Sequence, residues 1–277
     1  MTTPYQQQGA PTATSYSSPI PVRKAHLGDA LASEWTKIRS VRSTVWTLSV
    51  MAFLILGIGL LVALTIGAAD ADLDGQPVLA FGFFGVLLGT VCVITLGVLT
   101  IASEYGTGMI RTTLTACPSR NRVLTAKAIV YFLVVFVFTL VLTLVVGALQ
   151  VAIIDTADAP SNDEWFRATF GVSVFLAALG LLSLAVGVLI RHSAGAITLM
   201  IGVVLLPIVL AMFMYAESLS GLRDGLFEYS IPNQLIVLYN NTATESGPQG
   251  WEPVWIILGV SAVALAGAYA SLNSRDV

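Results

Sequence analysis

Six long stretches without a charged side chain divide this chain of 277 residues, at 43–69, 75–103, 128–154, 168–190, 193–216 and 253–274. An α-helix rises about 1.5 Å per residue, so roughly 20 apolar residues cross the ~30 Å hydrocarbon layer of a bilayer. Each stretch holds at least that many. In hydrocarbon every backbone N–H and C=O must be satisfied within the protein, which leaves helices or closed barrels, and stretches this long and this continuously apolar do not suit barrel strands. The pattern therefore predicts an all-α membrane protein with six transmembrane helices, at about 46–69, 79–101, 128–154, 168–190, 194–215 and 253–272. Composition points the same way, since 56% of residues are hydrophobic and only 10% charged, against roughly 25% charged in a soluble domain.

Charge asymmetry orients the bundle. With the amino terminus in the cytoplasm, eleven of the thirteen basic residues fall on the inner side and only Arg167 and Arg223 on the outer side. This is the positive-inside pattern. Twelve of the sixteen acidic residues, from Asp70 to Glu252, gather on the outer side. The expectation is a multi-pass protein of the plasma membrane with both termini cytoplasmic and 70–78, 155–167 and 217–252 outside. A net charge of −3 averages two unlike faces and gives no reason to expect nucleic acid as a partner.

Residues 1–26 are rich in Thr, Ser, Gln, Pro and Gly and lack the basic start and apolar core of a signal peptide, which predicts a disordered cytoplasmic tail. The permease body is expected to run from 27 to 277. Between 27 and 45, Leu27, Leu31, Trp35, Ile38, Val41 and Val45 recur at helical spacing, with Glu34, Lys37, Arg39 and Arg42 between them. That is an amphipathic helix suited to the inner membrane interface, with Trp35 on its apolar side and Glu34, Lys37 and Arg39 on its polar side. The alternative is a helix packed on another cytoplasmic element. Cys92 and Cys117 fall in a span and in a cytoplasmic loop, which makes no disulfide framework.

The loop between the second and third spans, 103–127, is the only inner loop long enough for a substantial protein contact. Thr107 is expected to cap a short helix carrying Met109, Ile110, Thr113, Leu114 and Cys117, which Pro118 ends. Ser119 is expected to cap the helix leading into the third span. Gly106 supplies the freedom for a sharp turn. Glu104 is an acid on a side where acids are scarce, placed to cap the loop helix or to pair with a basic group of a partner.

In these residues the chain resembles the permease subunits of type-2 ABC transporters. Their loop after the second span reads Glu-x-Gly-Thr, a short helix, Pro-Ser-Arg and a Lys at the third span, matched here by Glu104, Gly106, Thr107, Pro118, Ser119, Arg120 and Lys127. The resemblance takes in most of the chain, including the Ser-Glu-Trp-Thr-Lys entry at 33–37, the basic run Arg39, Ser40, Arg42 and Ser43 of actinobacterial members, and an outer segment with Pro232. Gly108-Met109 stands where the family often has an acidic residue. Family resemblance implies that the loop is a coupling helix seated in a cleft of a separate ABC ATPase subunit, with Glu104, Gly106, Thr107, Ile110, Arg111, Leu114, Pro118 and Arg120 as the contact set. It further implies a half-channel that pairs with a second permease copy or a related permease, within membrane lipids, and an exporter. For Arg120, Arg122 and Lys127 the positive-inside rule is an equal explanation.

The chain has no G-x-x-x-x-G-K-[ST] and no Gly-Lys pair at all. ATP and Mg are accordingly expected on the partner, with no cofactor bound here and no enzymatic activity of the chain itself. Neither H-E-x-x-H nor G-x-S-x-G occurs, which disfavours a membrane protease or esterase. A rival reading is a gradient-driven secondary transporter, although no ionisable residue stands in the middle of a span. A non-transporting assembly or regulatory membrane protein is the other. Gly82, Gly85, Gly89, Gly180, Gly187, Gly259 and Gly267 are read as helix packing, and Pro207 is expected to kink or loosen the fifth span. The uncharged interior points to a hydrophobic or amphiphilic cargo.

Overall fold

The structure, a computed structural model, describes residues 26–69, 75–117, 119–154, 159–244 and 246–274; the tail, the loop positions 70–74 and 155–158, Pro118, Glu245 and the end from 275 lie outside the described residues. All regular elements among the described residues are helical. They are α1 (Leu27–Ser40), α2 (Arg42–Ala69), a 3-10 turn (Val78–Gly82), α3 (Phe83–Thr107), α4 (Met109–Ala116), α5 (Arg120–Ile153) and α6 (Asn162–Phe166). A π-turn (Arg167–Gly171) joins α6 to α7 (Val172–Ile190), followed by α8 (Ser193–Phe213), α9 (Ser220–Glu228), α10 (Ile231–Asn240) and α11 (Glu252–Ser274). Six of these helical runs are long and apolar enough to cross a membrane. The chain adopts the expected all-α membrane fold.

The helix at the start is shorter than its periodicity suggests. α1 stops at Ser40, and Val41 is extended, its N–H bonded to the Lys37 carbonyl and its own carbonyl accepting from Thr44 and Val45. Val41 thus closes α1 and opens α2, so 42–45 belong to the first span. A single extended residue lets the chain turn while the apolar spacing runs on, so the spacing alone does not reveal it. At the α4 end two helices outrun their apolar stretches, with α3 continuing to Thr107 and α5 beginning at Arg120. Hydropathy marks where lipid begins, whereas a helix ends only where a residue leaves helical backbone angles. α8 is continuous through Pro207.

α7 is the axis of the bundle, packed against α3, α5 and α11. Small residues make this possible. A Cβ on Gly97 of α3 would stand 2.6 Å from the Gly180 carbonyl oxygen of α7, so the two helices meet backbone to backbone there. Tyr131 of α5 fills the slot beside both glycines and donates its hydroxyl to the Val93 carbonyl at 2.7 Å. Gly85 likewise takes the α2 backbone at Ile55, and Gly187 that of α3 at Val98. Gly259 and Gly267 of α11 have no atom within 4 Å of such a Cβ, so they pack against nothing among the described residues.

The stretch 217–252 is more than a loop. α10 is buried among the ends of the spans, with Leu235, Val237 and Leu238 fully enclosed. Ser230 caps it by accepting from Asn233 N, and Pro232 sits in its first turn. At 10 residues and about 15 Å it is too short to register as a span.

Candidate functional site

The end of the bundle that carries α1 and α4 holds a closed ring of four charges. Glu34 and Lys37 stand one turn apart on α1, Glu104 lies near the end of α3, and Lys127 lies two turns into α5. Lys37 Nζ reaches Glu34 Oε1 at 2.8 Å and Glu104 Oε1 at 2.9 Å. Lys127 Nζ reaches Glu34 Oε2 at 2.8 Å, Glu104 Oε1 at 2.6 Å and the Thr100 carbonyl at 3.3 Å. Each lysine therefore touches both carboxylates, and Lys127 spends all three of its protons.

Burial makes this ring consequential. Lys127 is 1% exposed, Glu104 3% and Glu34 4%; only Lys37 is partly open. Burial lowers the affinity of Lys37 for its proton, but its bonds to Glu34 and Glu104 more than offset this and the pKa stands above the usual lysine value. An exposed ion pair contributes little, whereas removing one member of a buried set strands the others in low dielectric. Within the ring, Glu104 Oε2 is the one carboxylate oxygen that is buried and without a hydrogen-bond partner among the described residues.

These contacts correct the expected roles. Glu104 neither caps the loop helix nor offers its carboxylate at the surface, because both lysines hold it inside. Glu34 faces the interior too, while Trp35 and Arg39 remain outward, with the Arg39 guanidinium 5.6 Å above the Trp35 ring. Arg120 donates from Nη1 to the Leu272 carbonyl at 2.7 Å, which satisfies a carbonyl in the last turn of α11. Just along α5, Thr125 and the Tyr269 hydroxyl are 2.7 Å apart, a second tie between the same helices. Sequence reasoning missed the ring because its members lie as much as 93 residues apart. A signal was present nonetheless: Lys24, Lys37 and Lys127 are the only lysines in a chain that otherwise uses Arg, and a compact ammonium suits a site where one group must meet two carboxylates.

The turn into α4 also differs from expectation. Thr107 is the last residue of α3 and donates to the Ser103 carbonyl at 2.8 Å, so it caps nothing. Gly106 is helical; the left-handed residue is Gly108, at φ 71°, where a side chain would be disfavoured. Ser119 precedes α5 in extended conformation but makes no side-chain cap. α4 buries Ile110, half-buries Leu114 and leaves Met109, Arg111, Thr112 and Thr115 exposed. Of the expected contact set, then, Gly106, Thr107 and Arg111 are exposed, whereas Glu104 and Ile110 are interior. Met109 borders the same cleft of about 90 Å³ as Glu34, Lys37, Glu104 and Lys127. The start of α4 thus adjoins the ring directly.

Across the base of α7, Arg191 turns the chain in left-handed conformation at φ 57° and lays its guanidinium 5.1 Å over the Tyr105 ring. No group of His, Cys, Asp and Glu that could hold a metal occurs among the described residues.

The family model described as ABC-2 family transporter protein matches residues 12–277. No curated protein matches the chain.

Proposed function

The chain belongs to the ABC-2 transporter family as a multi-pass transmembrane component that is not itself catalytic, and from that premise we propose that it is the permease of an ATP-driven exporter energised by a separate ABC ATPase. In this reading α4 is the coupling helix. It meets the ATPase through Met109, Arg111, Thr112 and Thr115, and the α1–α4 end faces the cytoplasm, as the basic asymmetry favours. ATP and Mg bind the partner. Two copies, or this chain and a related permease, bound the translocation path, and the cargo is hydrophobic or amphiphilic.

The observation that carries the reading is the position of the buried ring directly behind α4. A push on α4 reaches Glu104 within two turns of helix, and Glu104 is bonded to α1 through Lys37 and to α5 through Lys127. The stroke is thereby shared among three elements at once. A buried charge cluster in which each lysine bonds both carboxylates suits that task better than apolar packing, because its geometry is set by direction as well as by distance.

Co-expression with an ATPase encoded by a neighbouring gene is the test. The permease alone is expected to hydrolyse no ATP, and the complex to do so at a rate that depends on the permease. Arg111→Ala with Met109→Ala, on the exposed face of α4, is expected to leave the fold intact and abolish that dependence. Unchanged stimulation in this double variant would remove α4 from the coupling role.

A further inference from the structure

At the end of the bundle opposite α4, Gln150 of α5 is 1% exposed and neither atom of its amide has a hydrogen-bond partner among the described residues. Burying a primary amide unpaired is costly, and native folds nearly always satisfy one. The amide borders a cavity that offers the centre of a water molecule about 10 Å³, walled also by Gly82, Thr143, Gly147, Thr169 and Tyr239. About that much space is what one water requires. The backbone locates the point: a Cβ on Gly82 would stand 3.6 Å from Gln150 Oε1, 3.6 Å from the Tyr239 hydroxyl and 3.8 Å from Gln150 Nε2. Polar atoms of α5 and α10 thus converge beside the 3-10 turn with no direct bond between them.

We propose that one water molecule is bound at this point as an integral part of the fold, hydrogen-bonded to the Gln150 amide and the Tyr239 hydroxyl, so that α10 is joined to the spans through solvent. Turning the amide over leaves one of its atoms facing the point in either orientation. Thr143 and Thr169 spend their hydroxyl protons on the Thr139 and Trp165 carbonyls, at 3.0 and 2.6 Å, so their oxygens at the wall can still accept. None of the described residues lining the cavity carries a charge, which favours a neutral molecule over an ion. The size admits nothing larger than water. This site is independent of the coupling reading, since it lies at the other end of the spans.

Alanine at position 82 decides the matter. Gly82 has φ −68° and ψ −19°, angles open to any residue, and the contacts of the added methyl would be ordinary. At a dry site Gly82→Ala should therefore be neutral or slightly stabilising. With a bound water, the methyl displaces it and strands the amide, so the melting temperature of the protein in nanodiscs should fall by about 2–4 °C. In a Gln150→Met background no amide remains to be stranded, and the same alanine should cost nothing. A Gly82→Ala variant that melts no lower than the parent, or that loses as much in the Gln150→Met background, overturns the proposal. A density map of the unaltered protein that resolves ordered solvent gives a second reading: a peak within about 3 Å of both groups supports the water, and featureless density there refutes it.

Discussion

Two contacts on one face of α5 hold the bundle by opposite means. Lys127 anchors the charge ring at the α4 end, and Tyr131, one turn further along, fills the slot between Gly97 and Gly180. Both side chains are almost wholly buried, and both join α5 to other helices. The ring is held by charge: its atoms meet at hydrogen-bond distance beside a cleft of about 90 Å³, so volume is not limiting. The slot is held by shape: a Cβ on Gly180 would collide with the Tyr131 hydroxyl and ring, while the polar component is a single hydroxyl bond. Lipid is as apolar as the helices it surrounds, so helices associate in it through close packing and polar bonds, and this protein separates the two along one helix.

The sharpest way to break the contrast is Lys127→Met, which keeps the volume and removes the charge. It leaves two buried carboxylates with Lys37 alone, and a loss of about 3–5 kcal/mol is expected in reversible unfolding in bicelles or micelles. A loss no greater than that of a neutral core substitution would show that the ring is incidental. Gly180→Ala comes next. It adds one methyl and no charge, and overpacking should cost about 1–3 kcal/mol; a neutral result would mean that the slot has slack and that shape does not govern it. Glu104→Gln is expected to cost less than Lys127→Met in the same measurement, because the amide oxygen still accepts from both lysines. Tyr131→Phe should cost about 0.5–1 kcal/mol, the worth of one hydroxyl bond with the ring still filling the slot. Smallest of all, Arg111→Ala should not move stability measurably, since the side chain is exposed, and its effect is expected only in ATPase stimulation by the assembled complex.

The residues of α5 show how far the sequence could be read. Its apolar run marked a span, but nothing in that run distinguished Lys127 from a basic residue obeying the positive-inside rule, or Tyr131 from a residue facing lipid. Gly180 and Gly187 were legible as packing positions and do pack closely, whereas Gly259 and Gly267 look the same in the sequence and a Cβ on either would meet nothing within 4 Å among the described residues. Gly106 and Gly108 differ likewise: two glycines stand at the end of α3, and only the backbone angles reveal that the second makes the turn.

By itself the sequence determined that the chain crosses a membrane, with six helices, and that its basic residues gather on one side. Transfer from water to lipid is close to additive along the chain, so a one-dimensional pattern carries it in full. The tertiary structure alone decided that Glu34, Lys37, Glu104 and Lys127 form one ring, that α10 is buried, and that Val41 and Gly108 are where the chain bends. Each of these depends on contacts across tens of residues or on the angles of a single one. Packing in three dimensions sets both, and residue-by-residue hydropathy registers neither.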